Sequence, residues 1–457
     1  MAEGNMVISK YIKPSREKKV FRWVAIAFLF SLFVMPQYFG LPLPVFDFTL
    51  LRIMIVLVTL FIIADTERKK SFVGMILNSG FTKALIPYLI VIGYTMVLRV
   101  DINAFLNPFI ELYSLYLLVY LVRDVLGVEA TVKYLRIFCY ILAFLGLVEF
   151  VLGVSPFSYL ETVKGIYTGR FIRSGHYRIM SSANHSLGYG LMLILMTPFA
   201  CYDQKLKEVN VFAHFPLLLM LALNVFLTGS RSTLGVFVIE IILMFFVSSR
   251  KNQKKFLMIC VLLIAALAVF LVVFQNTALG SYMMLQITTI LDEILGTEMS
   301  VKYGANPSAL SSSSNYRAQL KYIFQVDWLN PLLGIGRKRT FAAEINGSFV
   351  RSVDNFYIAE YIRYAYPGLI SYIIFVGYFV IEMIKKIRKG QSALIKVILM
   401  GIICYLINLK WVDSLQTLKY LYVAFAIYAA LAEEEGNSAK QITVFESKYI
   451  KKRGVGR

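Results

Sequence analysis

The chain has 457 residues, of which 58% are hydrophobic and only 16% charged, with a mean hydropathy of +0.67. That composition excludes a soluble domain of this size and reads as a polytopic membrane protein. The net charge of +20 therefore reads as basic loops beside a membrane, not as a nucleic-acid surface, and four cysteines in or beside apolar runs give neither a disulfide framework nor a metal spacing.

Twelve segments have the length and apolar character of membrane spans, near residues 20–36, 45–64, 84–100, 105–122, 134–154, 183–201, 211–228, 232–249, 256–275, 366–384, 393–410 and 415–432. The first follows the basic stretch KYIKPSREKKVFR and is expected to be a retained span. With the N-terminus inside, ERKK (67–70), RKNQKK (250–255), KKIRK (385–389) and the final KYIKKRGVGR all fall on the cytoplasmic side. Inner segments then hold 30 of the 47 Lys and Arg, 21 of them Lys; outer segments hold 16, 10 of them Arg, with Arg52 inside a span. Anchoring needs only charge, and Lys serves. The Arg bias outside points to a different task, since a planar guanidinium binds phosphate oxygens bidentately.

The expected organisation is nine spans over 1–275, a loop domain outside the cytoplasm over 276–365, three spans over 366–432 and a cytoplasmic tail over 433–457. The long loop mixes a Ser/Asn-rich patch, PSALSSSSNYR, with the apolar run YIFQVDWLNPLLGIG. A disordered segment would lack such runs, so short helices on or dipping into the outer surface are expected.

Four outer stretches carry candidate chemistry. In FIRSGHYRIMSSANHSLGYGLMLILMTPF (171–199), Arg173, His176 and Arg178, with Arg170 just before, crowd the outer end of the sixth span. Ser181, Ser182 and Asn184 lead into it, and a helix N-terminus with open N–H groups attracts anions. Charges snorkelling from a solvated loop are the plain alternative. In NVFLTGSRSTLGVFVIE (224–240), Arg231 sits at a tight Gly-Ser turn, where a charge at membrane depth is functional or paired; Glu240, mid-span, has no assigned role. In SSNYRAQLKYIFQVDWLNPLLGIGRKRTF (313–341), Arg317 opens a helix. The Gly-Ile-Gly before Arg337, Lys338 and Arg339 resembles a phosphate-cradling turn only loosely, since no strand precedes it.

Last, in RSVDNFYIAEYIRYAYPGLISYII (351–374), Arg351, Asp354 and Asn355 precede a helix that carries Glu360 and Arg363. Asp354 is either a charge favourable to the helix dipole or, among several Arg, a general base. Tyr167, Tyr177, Tyr316 and Trp328 are candidates for stacking on sugars, while most Tyr belong to an interfacial belt. The three His lack metal-motif spacing and no acidic cage is visible, so a metal-free, cofactor-free mechanism is expected.

The order of these stretches resembles the O-antigen polymerase/ligase superfamily of bacterial membrane glycosyltransferases, over roughly residues 170–385. The quoted elements are SSANHSLGYGLMLIL, then LTGSRSTLGVF, then NYRAQL with NPLLGIG, then VDNFYIAEYIRYAYPGLISYIIF. The resemblance implies an all-α, GT-C-like bundle of about twelve helices in the bacterial inner membrane, both termini cytoplasmic, with a periplasmic loop domain. It also implies a repeat-unit oligosaccharide on undecaprenyl pyrophosphate as substrate, membrane lipid around it, a chain-length regulator as partner, and no nucleic acid.

Under that resemblance the expected activity is a polysaccharide polymerase, with Asp354, Arg231 and Arg317 as catalytic residues. Arg170, Arg173, His176, Arg178, Asn184, Arg337, Arg339, Arg351 and Asn355 are expected to bind substrate. Ligases of the family usually carry His before the Asn of the last motif, where this chain has Asp354, which favours polymerase over ligase. A flippase for the same lipid fits the span count, but its loops are usually short.

Overall fold

A computed structural model of the protein describes residues 16–43, 47–167, 169–173, 176–274, 276–305, 316, 319–390 and 392–433. It is mostly helical. The first half comprises α1 (Arg16–Phe33), α2 (Leu50–Ile63), α3 (Thr66–Asn78), α4 (Gly80–Arg99), α5 (Ile102–Tyr120, continued by a π turn over Leu121–Leu126) and α6 (Val128–Leu152). After a loop come α7 (Ser186–Ala200), α8 (Phe215–Leu227), α9 (Arg231–Val247), α10 (Arg250–Phe274) and α11 (Ala278–Leu295). The chain closes with α12 (Phe356–Arg388), α13 (Ala393–Asn408) and α14 (418–433).

Each of the twelve predicted segments coincides with a helix, α3 and α11 being additional. Among the described residues, five helices are long and apolar enough to cross a membrane on their own: α4, α5 with its π turn, α6, α10 and α12. Four others, α2, α7, α8 and α13, are apolar but shorter. Buried and exposed faces follow membrane logic. Every residue of α7 except Leu187 is buried, so this helix is the axis of the bundle. Among the described residues of the apolar α10 none is buried, which leaves the helix facing outward. α12 lies along α4, and α13 lies along α7 and α9. At their heart Phe379 and Phe425 stack with ring centroids 4.0 Å apart.

Four short antiparallel pairs punctuate the loops: β1 (Gly40–Leu41) with β2 (Phe48–Thr49), β3 (Ile172–Arg173) with β4 (His176–Tyr177), β5 (Tyr202–Asp203) with β6 (Glu208–Val209), and β7 (Ala343–Ile345) with β8 (Ser348–Val350).

The segment before α12 has a small core of its own. Leu320, Ile323, Leu329, Phe341, Ile345 and Val350 pack on Ile358, Tyr361 and Ile362 of α12. α12 itself starts earlier than the apolar pattern suggests, because Asn355 caps it by accepting from the Ile358 N–H at 3.1 Å. Its first turns are then set apart from the rest by Ala365, which adopts φ +58° just before Pro367. That break frees backbone carbonyls of the preceding turn, and the site below depends on it.

Candidate active site

A cavity of about 1680 Å³ opens where the N-terminal ends of α7, α9 and α12 meet the loop after α13. Six arginines (Arg178, Arg231, Arg337, Arg339, Arg351 and Arg363) and two aspartates (Asp354 and Asp413) line it. Its other wall is apolar: Phe226, Leu234, Val238 and Ile239 of α8 and α9 face Met283, Ile287 and Ile290 of α11. The Lys-rich start of α10, 250–255, lies beyond the opposite end of α9.

Arg178 is held by a loop that α6 organises. Glu149, fully buried, accepts from the Tyr177 hydroxyl (2.6 Å) and from the consecutive N–H groups of Met180 (2.9 Å) and Ser181 (2.7 Å). Those bonds fold the chain back at Ser181, which adopts φ +48°. Arg178 then stacks on Phe171 at 5.0 Å and donates from Nε to the Thr228 carbonyl at 2.5 Å. Gly229, at φ +61°, lies directly beneath it; a Cβ there would sit 3.1 Å from Arg178 Nε. The Thr-Gly-Ser-Arg turn thus serves two purposes. Its glycine admits Arg178, and Ser230 caps α9 through the Thr233 N–H, which presents Arg231 as the first helical residue.

Arg337 is seated by a backbone clasp. Ile335 N–H donates to the Ile362 carbonyl (2.9 Å) and Gly336 N–H to the Arg363 carbonyl (3.0 Å), the acceptors that the break at Ala365 leaves open. Gly334 must be glycine, since a Cβ would lie 2.1 Å from the Arg363 carbonyl oxygen. From the other side, Arg99 donates to the Gly334 (2.7 Å) and Leu333 (3.0 Å) carbonyls. Asp101 accepts from the N–H groups of Arg337 (2.6 Å) and Lys338 (2.7 Å). Burial raises the Asp101 carboxyl, but these bonds and those from Asn103 and Ala104 outweigh it and hold the group below its ordinary range. The Gly-Ile-Gly run is therefore a strand-like clasp against α12 and not a phosphate cradle.

Behind the cavity a balanced ionic chain fixes two of the arginines. Glu360, 1% exposed, faces Arg363 Nη1 at 3.2 Å and Arg337 Nη2 at 3.7 Å, and accepts from the Tyr88 hydroxyl at 3.1 Å. Arg363 also reaches Asp413 at 2.7 Å, and Arg337 Nε donates to the Tyr364 hydroxyl at 2.7 Å. Burial disfavours the Arg337 charge, yet Tyr364, Glu360 and Tyr88 outweigh it and raise its pKa. Counted with Glu360 behind it, the cavity sets six arginines against three carboxylates and so carries a positive excess.

Of the residues expected from sequence, Arg178, Arg231, Arg337, Arg339, Arg351 and Asp354 share this cavity. Asp354 accepts from Ser352 Oγ at 3.2 Å. The structure does not bring Arg170, Asn184 or Asn355 to the lining. Arg170 lies over the Tyr177 ring at 5.7 Å, Asn184 donates to Gln416 (3.1 Å) and Gln37 (3.3 Å), and Asn355 is the α12 cap. Arg173 and His176 are backbone partners in the β3–β4 hairpin. Arg317 lies outside the described residues. The four aromatics offered for stacking are engaged elsewhere: Tyr167 on Tyr38, Tyr177 with Glu149, Tyr316 with Ser352 and Trp328 on Phe341. Trp411 lines the cavity instead. Glu240 is buried, and among the described residues neither of its carboxylate oxygens has a hydrogen-bond partner.

Sequence reasoning did not select His185, Asn107, Asp413 or Trp411, all of which line the cavity, nor Glu149 and Asp101, which position it. Arg363 was noted only for its spacing from Glu360. The loop 409–417 carries a usable signal only in retrospect of its backbone: Leu415 (φ +44°) and Gln416 (φ +63°) are consecutive non-glycine residues in the left-handed region, a strain that concentrates at functional sites.

A comparison with curated proteins returned no match. Residues 216–373, which include Arg231, the clasp, Asp354 and the ionic chain of α12, match the family model described as O-antigen ligase. That match supports, over residues 216–373, the resemblance to the O-antigen polymerase/ligase superfamily.

Proposed function

We propose that the protein is a polysaccharide polymerase. It transfers a growing glycan from undecaprenyl pyrophosphate to a hydroxyl of a second lipid-linked repeat unit. In this reading twelve helices cross the bacterial inner membrane with both termini in the cytoplasm. Residues 276–365 form the outer loop domain, between spans of 1–275 and 366–432, and 433–457 form the tail. The observation that carries the reading is the cavity itself, where an excess of arginine meets an apolar wall between α9 and α11. A lipid diphosphate has those two halves.

The chemistry is a displacement at the anomeric carbon. The acceptor oxygen forms a bond to that carbon as the bond from the carbon to the phosphate oxygen breaks, and the electron pair leaves on the diphosphate. Asp354 takes the proton of the attacking hydroxyl. Arg178, Arg231, Arg339 and Arg351 stabilise charge on the departing diphosphate, which fixed guanidiniums do well in a site shielded from water. Arg337 and Arg363 hold the floor through Glu360 and Asp413. Arg317 assists at the departing diphosphate, and Arg170, Arg173, His176, Asn184 and Asn355 bind the substrate. A chain-length regulator would bind the outer surface.

The test is polymer formation by the purified protein in lipid vesicles supplied with lipid-linked repeat unit. Arg231→Ala should abolish the ladder of products at unchanged insertion; a normal ladder would overturn the reading. The family's description as O-antigen ligase favours a second reading, transfer to a lipid or protein acceptor. Cells lacking the gene separate the two. Single repeat units attached at the surface mean a lost polymerase, whereas no attached glycan means a lost ligase.

A further inference from the structure

Resting on the reading of the cavity as a lipid-diphosphate site, we propose that His185 is a substrate-binding residue, a neutral imidazole that donates from Nε2 to a phosphate oxygen of the bound lipid. His185 is the N-cap of α7. Its Nδ1 accepts from the Leu187 N–H at 3.1 Å, which requires that nitrogen to carry a lone pair and so puts the proton on Nε2. The ring is braced by Phe171, with centroids 4.9 Å apart. Among the described residues no other hydrogen bond engages it, and the imidazole lines the cavity together with Arg178, Arg231 and Asp354.

Two groups act on its charge, Arg178 from its own loop and Asp354 from the segment before α12. Burial and Arg178 outweigh Asp354 and lower its pKa to about 4, so the ring is neutral at physiological pH. An imidazole in this state cannot serve as the base, because one nitrogen is engaged by the backbone and the other is already protonated. It can donate a single bond of fixed direction. Beside a guanidinium held on Thr228 and Phe171, the fitting acceptor is an anionic oxygen.

Two substitutions divide the roles of the two nitrogens. His185→Asn keeps an acceptor at the Nδ1 position, hence the helix cap, and removes the Nε2 donor. His185→Gln places an amide N–H near the Nε2 position and gives up the cap. The full-length protein in phosphatidylcholine vesicles is titrated with undecaprenyl pyrophosphate, with Arg231→Ala in parallel and melting followed for every variant. The expected result is that His185→Asn melts like the parent but binds about 10- to 100-fold more weakly, as loss of a hydrogen bond to a charged group implies. His185→Gln binds within a few fold of the parent, whatever its melting point.

Parental affinity in His185→Asn with weakened Arg231→Ala overturns the donor role and leaves the cavity reading standing. Parental affinity in both overturns the cavity reading. Equal losses of affinity in the Asn and Gln variants also overturn the proposal, since they would trace binding to ring shape and not to the Nε2 donor.

Discussion

Glu360→Gln is the sharpest test of how the cavity floor is built. The carboxylate is nearly inaccessible and sits between the guanidiniums of Arg337 and Arg363 at 3.7 and 3.2 Å, with the Tyr88 hydroxyl at 3.1 Å on its other oxygen. The amide keeps the shape and removes the charge. Deleting one partner of a buried ion pair costs about 3–5 kcal/mol because the other charge is stranded. Here the two guanidiniums are 23% and 25% exposed and Arg363 keeps Asp413 at 2.7 Å. Solvent screening and the surviving pair reduce the expected loss to about 1–3 kcal/mol. Adding Arg337→Gln removes the stranded charge while leaving Arg363 with Asp413, so the double variant should cost less than the two single losses together, by about 0.5–3 kcal/mol. Equilibrium unfolding in detergent micelles reads this out, with the fluorescence of Trp411, which lines the cavity, as a local probe. A Glu360→Gln protein as stable as the parent, or losses that simply add, would refute the account.

Gly334→Ala should fail to seat the clasp, because its methyl would lie 2.1 Å from backbone oxygen of Arg363; polymer formation should be lost while α4 and α5 stay protected in hydrogen exchange. Glu149→Gln turns an acceptor for three donors into a group with one competing amide, so it should destabilise the 171–185 loop by about 1–3 kcal/mol and weaken lipid-diphosphate binding through Arg178. A binding isotherm identical to that of the parent would count against it. His185 predicts the sign of a pH effect. Its folded-state pKa lies near 4, below the ordinary 6.5, so the unfolded chain binds more protons between those values and stability falls as pH drops through that window. The parent should therefore lose more melting temperature than His185→Asn between pH 7 and pH 4.5, with Arg178 and Asp354 the charged neighbours that set the shift.

Helix positions were readable because apolar length is a local property, and so was the clustering of Arg at 170–178, 231 and 337–363. Of the six predicted polar residues in the cavity, Arg178, Arg231, Arg351 and Asp354 lie close in sequence to a helix N-terminus that faces it, whereas Arg337 and Arg339 reach it through the clasp on α12. The supports were not readable. Tyr88 reaches Glu360 across 272 positions, Asp101 reaches Arg337 across 236, and Glu149 sits at the end of an apolar run that gives no hint of the loop it grips. Hydrophobic period reports which face of a helix is buried, and says nothing about which distant carbonyl or carboxylate will stand opposite. Asn184 and Asn355 show how little residue type alone decides: amides near a helix start are as apt to serve loops and caps as ligands. The Gly-Ile-Gly run looked like a ligand turn for the same reason, since glycine marks close approach without naming what approaches.

No described residue of α10 is fully buried, and the helix touches both α9 and α11. Its uncharged stretch, 256–274, rises about 28 Å, close to the roughly 30 Å depth of a bilayer's hydrocarbon. A thinner or thicker membrane would be felt first by this helix, as tilt costing fractions of a kcal/mol per ångström. Because α11 follows after three residues and supplies Met283, Ile287 and Ile290 to the cavity wall, the proposed function would give the lipid composition of the host membrane a mechanical handle on the width of the slot for the isoprenoid chain.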